Sequence, residues 1–246
     1  MNSPAEYKIR SYRHWVESKG LVNFTVKIDT SDLFIRACSN LQNEALEYLK
    51  KQRLLIENYI EKHPEFAVTL KPYTARDSAP EIIQEMVAAS RASGVGPMAA
   101  VAGAIAEYVG KHLVQYSPEV IVENGGDIFI QSLHRRAVGI FAGMSPYTGK
   151  LAIEIPPSEH PCGICTSSGT VGPSLSFGKA DAVTVICASA IWADAWATRM
   201  GNMVKSPNDM ETALRFVQDK PEIKGIVVII GDKIGVWGEV KLVNLR

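Results

Sequence analysis

Long apolar runs, an excess of charge and low-complexity linkers are all missing from this 246-residue chain, and each absence removes a class of function. The longest apolar stretch, Val95 to Val109, is interrupted by Pro97 and Glu107. It falls short of the roughly 20 residues that a bilayer-spanning helix needs. The opening Met1-Asn-Ser-Pro-Ala-Glu-Tyr-Lys has no apolar core of the kind a secretory signal requires, so a cytoplasmic protein with no membrane partner is expected. Twenty-six basic residues balance 26 acidic ones. No net field then favours nucleic acid or an anionic membrane, and no local basic patch replaces it. Histidine is sparse: His14, His63, His112 and His134 have no recognisable partners, which leaves His160 as the one beside other reactive groups.

What is present is enough apolar material for a substantial core. Hydrophobic residues make up 46% of the chain, and its length lies near the upper end of what one domain holds, so residues 1–246 are read as a single domain. Tyr7 to Trp15 and Leu21 to Ile28 alternate as strands around Ser18-Lys19-Gly20, with Leu33 to Ala37 a third. Ser39-Asn40 can cap a helix from Leu41 to Lys62, whose stripe of Leu41, Ala45, Tyr48, Leu49, Ile56 and Ile60 ends before Pro64. Ser78-Ala79-Pro80-Glu81 has capping-box spacing and opens a second helix to about Ser90. A third helix follows Gly94-Val95-Gly96-Pro97.

That third helix, Met98-Ala-Ala-Val-Ala-Gly-Ala-Ile-Ala, is small and apolar on every face and must be buried. Around Gly96, Pro97 and Met98 its start offers unpaired N–H groups and the positive end of the dipole to a phosphate. Close helix-on-sheet packing explains the alanines equally well. Asn124-Gly125-Gly126-Asp127, between Val120 to Val122 and Ile128 to Ile130, reads either as a plain turn or as a wall where a ligand approaches the backbone. Farther on, Val183 to Cys187 reads as a buried strand and Ala190 to Val204 as the helix after it. Asp194 and Thr198 then stack on one helical face, a carboxylate and a hydroxyl of the kind that Mg2+ takes. A helical Asp beside a back-bonding Thr is the bland alternative.

His160-Pro161-Cys162-Gly163-Ile164-Cys165 holds a Cys-x-x-Cys, while Cys38 and Cys187 stand alone. Three ligands at cramped spacing do not make structural zinc. Cys162 and Cys165 could cycle through a disulfide or carry a persulfide if a thiolate is accessible. Two small, half-buried residues around a Gly turn are the alternative. Because Thr166-Ser167 follows directly, a pocket using those hydroxyls would bring Cys165 close.

Val-Thr-Val, Ala-Ser-Ala and then Ala-Asp194-Ala-x-Ala-Thr198 resemble the metal-binding signature of the ApbE-like superfamily, whose best-known members are FAD:protein FMN transferases. Asn124-Gly125-Gly126-Asp127 resembles the family's Asn-x-Gly-Gly-Asp segment with one residue fewer, and Thr166-Ser167 resembles its Thr-Ser turn. The resemblance runs from about Val95 to Met203. It implies an α+β fold related to the T-fold, with a mixed, largely antiparallel sheet and packed helices. It also implies a flavin nucleotide, FAD or FMN, with divalent metal on Asp194 and Thr198 and nucleotide contacts from Asn124, Gly125, Gly126, Asp127, Thr166 and Ser167. The family's helix start ends in a Lys near the nucleotide, but no Lys stands between Gly94 and Gly110. The transferases' His-x-x-Asp-Pro-x-Thr-Gly segment is also missing. In its place Thr170, Ser174, Ser176, Lys179 and Asp181 are the polar side chains, Lys179 being the one suited to a phosphate. The run Ser-Ser-Gly-Thr-Val-Gly-x-Ser-Leu-Ser-Phe-Gly-Lys-Ala-Asp resembles instead a small branch associated with sulfide assimilation and homocysteine formation in anaerobes. That branch implies sulfur-assimilation partner proteins and gives Cys162 and Cys165 a role in sulfur transfer. Flavin transfer to a Thr or Ser of a partner, and an inert binding or scaffold protein, are the other two readings.

Overall fold

A computed structural model describes residues 13, 15, 16, 18–170 and 177–245. The fold is α+β. Its centre is an eight-stranded sheet in the order β1 (Val22–Ile28), β2 (Ser31–Ala37), β3 (Val120–Asn124), β4 (Asp127–Ser132), β7 (Ser158–Ser167), β8 (Ala182–Cys187), β9 (Ile223–Ile230) and β10 (Lys233–Gly238). Each pairing is antiparallel. A second sheet of three strands, β11 (Leu242–Asn244), β6 (Leu151–Ile155) and β5 (Arg136–Gly139), supplies another layer.

Alternation of side chains decides which layer each face meets. Val120, Val122, Phe129, Cys165, Val183, Val185, Ile226 and Val228 share one core with the helices. Their neighbours Ile121, Ile128, Ile130, Ile164, Ile186, Val227 and Ile229 pack with Val138, Ile140, Ile153 and Ile155 of the small sheet. Central strands covered on both sides are mostly apolar, and all six residues of β8, Thr184 among them, are buried.

On the helical face lie α1 (Gln42–Lys62), α2 (Glu65–Val68), α3 (Glu81–Ser93), α4 (Val101–Leu113), α5 (Ala190–Met203) and α6 (Asp209–Phe216), with a 3-10 turn over Pro97–Ala100 before α4. The N-cap of α1 is Leu41 rather than Ser39 or Asn40, and Asn40 Oδ1 accepts the Gln42 N–H at 3.1 Å from one position outside it. The capping box at Ser78 does not form, because Pro80 occupies the N-cap position of α3; Gln84 donates instead to the Asp77 and Ala79 carbonyls. Gly94 ends that helix in the left-handed conformation, three residues beyond the expected stop. The strand expected over Tyr7 to Trp15 falls largely outside the described residues.

Candidate functional site

At one end of the central sheet the β3–β4 turn stands beside the exit of β7. Asn124 and Asp127 are paired across the turn, and the two residues between them, Gly125 and Gly126, have φ of 69° and 109°. Positive φ at both central positions is the pattern of a tight two-residue hairpin, and glycine meets it without strain. The turn is anchored on both sides. Asn124 Nδ2 donates to the Ala102 carbonyl at 3.1 Å, and the Gly126 N–H donates to Glu123 Oε1 at 2.8 Å. Glu123 in turn pairs with Arg13 at 2.7 Å, and Arg13 reaches Asp32 at 3.0 Å.

Above the turn, α5 brings in Asp194. Its Oδ2 accepts the Gly103 N–H at 2.9 Å, and the Ala102 amide also bonds to this carboxylate. The start of α4 therefore does receive an anion, and the anion is the chain's own carboxylate. Asp127 lies close enough for the two charges to repel. Burial and then the Asp194 charge hold the Asp127 carboxyl well above its usual range, while burial pushes Asp194 up to about 7 against the opposing bonds from Gly103 and Ala102. Both residues are only 9% exposed. Two carboxyls so placed either keep a proton or take up a cation.

Two recesses meet at Asp127, and Asp194 lines the first of them. The first, of about 930 Å3 with its open solvent included, is lined by Gly125, Gly126, Asp127, Thr166, Ser167, Ser168, Thr184, Asp194 and Thr198 at its polar end, and by Ile128, Val138, Ile140, Phe141, Ile153 and Ile164 along its apolar walls. The second, of about 1060 Å3 on the same basis, runs between α1 and the start of α4 past Arg53, Ile56, Ile60, Met98, Val101 and Ile105. Gly125 and Asp127 line both. Apolar walls with a polar end are the make-up of small-molecule sites. Asp127, Asp194 and Thr198 all line the first recess, and their oxygens are of the kind that Mg2+ takes. No group of three or more His, Cys, Asp and Glu side chains converges among the described residues, so nothing there favours a zinc-type cage.

A family model described as AbpE bacteria matches residues 13–228, which contain both recesses. The chain belongs to that family. Among curated proteins it is similar to the UPF0280 protein of Methanothrix thermoacetophila, 45% identical over 190 residues that cover 76% of this chain and 79% of that one. The UPF0280 protein of Methanocaldococcus jannaschii is 39% identical over 223 residues, 89% of this chain and 87% of the relative. Among solved structures, the apo flavinyl transferase ApbE of Pseudomonas stutzeri superposes with a TM-score of 0.52 at 14% identity, covering 88% of this chain and 93% of that one. The ApbE protein of Thermotoga maritima gives 0.55 at 11% identity, with 89% and 97% covered. These likenesses fix the fold as ApbE-like. No helix among the described residues is long and apolar enough to cross a membrane.

Of the residues picked from sequence, Asn124, Gly125, Gly126, Asp127, Thr166, Ser167, Asp194 and Thr198 gather at the two recesses, and Met98 lines the second. Gly96 and Pro97 do not join them. Both are buried, and a Cβ on Gly96 would lie 1.9 Å from the Thr69 carbonyl oxygen, so this glycine admits a neighbouring backbone rather than a phosphate. Lys179 is also elsewhere: it is exposed, and its N–H is bound to the Val204 carbonyl at 2.8 Å. Ser174 and Ser176 lie outside the described residues.

The dithiol reading of Cys162 and Cys165 fails on geometry. Neither a turn nor a loop surrounds them; both are in the extended strand β7, and an odd separation sends them to opposite faces. Cys162 packs toward the small sheet, and Cys165 is buried under the helices with its thiol 3.3 Å from the Ala190 carbonyl. Burial pushes the Cys162 thiol up to about 11 and the Cys165 thiol well above its ordinary value, so neither is a ready thiolate at neutral pH. Oxidation of the folded protein with diamide, followed by peptide mass mapping, is expected to yield no Cys162–Cys165 disulfide; recovering that cross-link from native protein would reinstate the pair. Cys38 is exposed and is the thiol expected to react first.

Sequence reasoning missed Arg13, Glu123, Thr184 and Phe141. Thr184 had a usable signal, a hydroxyl inside an otherwise apolar strand, and its Oγ1 lies 2.9 Å from that of Thr166. Arg13 and Glu123 had none, because their pairing joins positions 110 residues apart.

Proposed function

We propose that this protein binds a flavin dinucleotide together with a divalent cation, the cation held by Asp127, Asp194 and Thr198. The observation that carries the reading is the meeting of two partly apolar recesses at the buried Asp127, whose buried neighbour Asp194 lines the first of them. A two-headed ligand such as FAD has a ring system for each recess and a pyrophosphate for the point between them, where two carboxylates alone would repel it. A cation there would supply charge neutralisation for both the phosphates and the acids. The Gly125-Gly126 turn has no side chain to hold a ligand off its backbone, and the hydroxyls of Thr166, Ser167 and Thr198 offer neutral donors. FMN, with one ring system, fills one recess only.

Calorimetric titration with FAD and with FMN, each with and without Mg2+, tests the reading. FAD should bind only with Mg2+, FMN more weakly, and Asp194→Ala should bind neither. Equal FAD binding by Asp194→Ala would defeat it.

A second reading, transfer of FMN from FAD to a Thr or Ser of a partner protein, is favoured by Asp127. Once ionised, a carboxylate whose proton affinity is raised by burial, and which lines both recesses, can take a proton from an acceptor hydroxyl. The missing His and Asp-Pro segment counts against it, and release of AMP from FAD in the presence of acceptor peptides is its measurement. A part in sulfide assimilation, with partner proteins of that process, then runs through the ligand of the recesses and not through Cys162 and Cys165.

A further inference from the structure

Helices α4 and α5 close each other's ends. Asp194 of α5 accepts the Gly103 N–H at the start of α4. One turn farther along α4, Glu107 reaches the start of α5, where its Oε2 accepts the Ser189 hydroxyl at 2.6 Å and the Ile191 N–H at 3.2 Å. Ser189 is the N-cap of α5, its Oγ also accepting from the Trp192 N–H. The other Glu107 oxygen is 2.7 Å from Lys111 Nζ. Glu107 is 3% exposed and lines neither recess.

We infer that Glu107 is a positioning residue for the cation site. It touches no ligand. By fixing the hydroxyl of Ser189 and the Ile191 amide in the first turn of α5, it sets the register of that helix against α4. Asp194 lies one turn on from Ile191, on the face that meets Gly103. A buried carboxylate whose two oxygens are both engaged has one stable pose, so the helix it caps has one as well. With that cap removed, Ser189 is left without its acceptor and the first turn of α5 is free to fray. Asp194 then no longer meets Asp127 at a distance suited to one cation. The inference rests on the cation reading above.

The test is Mn2+ titration of the full chain, followed by electron paramagnetic resonance and calorimetry. Glu107→Ala is expected to weaken Mn2+ binding by about tenfold or more, the size usual for outer partners of a metal site. Glu107→Gln, whose amide oxygen still accepts from Ser189 and Ile191, should recover affinity to within about threefold. An Ile226→Val core truncation, which lowers stability without touching either cap, should bind Mn2+ as wild type does. Wild-type affinity in Glu107→Ala, no recovery in Glu107→Gln, or loss in Ile226→Val in step with its stability would each overturn the positioning role. A wild-type protein that takes up no Mn2+ would overturn the cation reading itself and this inference with it.

Discussion

Asp194→Asn should lose Mg2+-dependent FAD binding by about a hundredfold or more, and at pH 8 without Mg2+ it should nonetheless melt higher than wild type. The two effects have one cause. An amide keeps the hydrogen bond to the Gly103 N–H, because its oxygen occupies the position of Oδ2. It removes the negative charge that a cation needs, and a decade of affinity is about 1.4 kcal/mol, so two decades is a small part of what a lost carboxylate ligand costs. Isosteric replacement separates this from the Ala variant, in which a lost helix contact would confuse the result. Unchanged FAD affinity in the Asn variant would show that the carboxylate is structural.

The stability gain follows from the direction of the pKa shifts. Both Asp127 and Asp194 are raised by burial in the folded chain, and Asp127 by the neighbouring charge as well. A folded state that holds its protons more tightly than the unfolded one loses stability as pH rises. The cation-free wild type is therefore at its best, for these groups, below about pH 4, the unfolded carboxylate value. That contribution disappears progressively as pH climbs toward 7, the value to which Asp194 is pushed. Above it, wild type carries an ionised, buried Asp194 beside Asp127, where Asp194→Asn carries a neutral amide. At about 1.4 kcal/mol per unit, the difference is roughly 2–4 kcal/mol, and the pair titrates as a unit, so the two shifts are not added. Thermal melts from pH 4 to 8 should show the variants diverging upward in pH by on the order of 5–10 °C. Added Mg2+ should close the gap by stabilising wild type alone. Parallel pH profiles for the two proteins would mean that the carboxylates do not repel one another.

Much of this site was legible because its parts are local. Val183 to Cys187 followed by Ala190 to Val204 emerged as β8 (Ala182–Cys187) and α5 (Ala190–Met203), and Asn124 to Asp127 formed a hairpin turn that is also a pocket wall. Periodicity and glycine chemistry decide such elements within a few residues. Strand β7 was not legible. Pro161 and Gly163 are poor strand formers, and what makes the segment extended is pairing on both sides, with β4 and with β8. Once the strand is recognised, the fate of the two thiols follows from period two alone. The anion at the start of α4 was hidden for a different reason. Gly103 and Asp194 are 91 residues apart, and no local pattern shows which acid will fill an open helix end.

Two glycines let the first turn of α5 sit close enough for that filling, and their replacement should cost much stability. A Cβ on Gly103 would lie 2.2 Å from the Ala190 carbonyl oxygen, and one on Gly163 would lie 2.3 Å from both the Ala190 nitrogen and its Cα. These are backbone atoms, which cannot rotate away as a side chain would. In an exposed helix Gly→Ala gains up to about 1 kcal/mol. Here crowding dominates and Gly103→Ala should cost about 3 kcal/mol, with Gly163→Ala costing as much. Both methyls press on the same residue, at the first turn of α5 between α4 and β7. Lifting that turn to admit one methyl also opens space for the other. The double variant should therefore fall short of the summed losses by about 1 kcal/mol in urea unfolding. It should also bind Mn2+ no more weakly than the worse single variant, since one displacement of Asp194 underlies all three. Losses additive to within about 0.3 kcal/mol would place the two glycines in independent contacts and deny that Ala190 is the shared pivot.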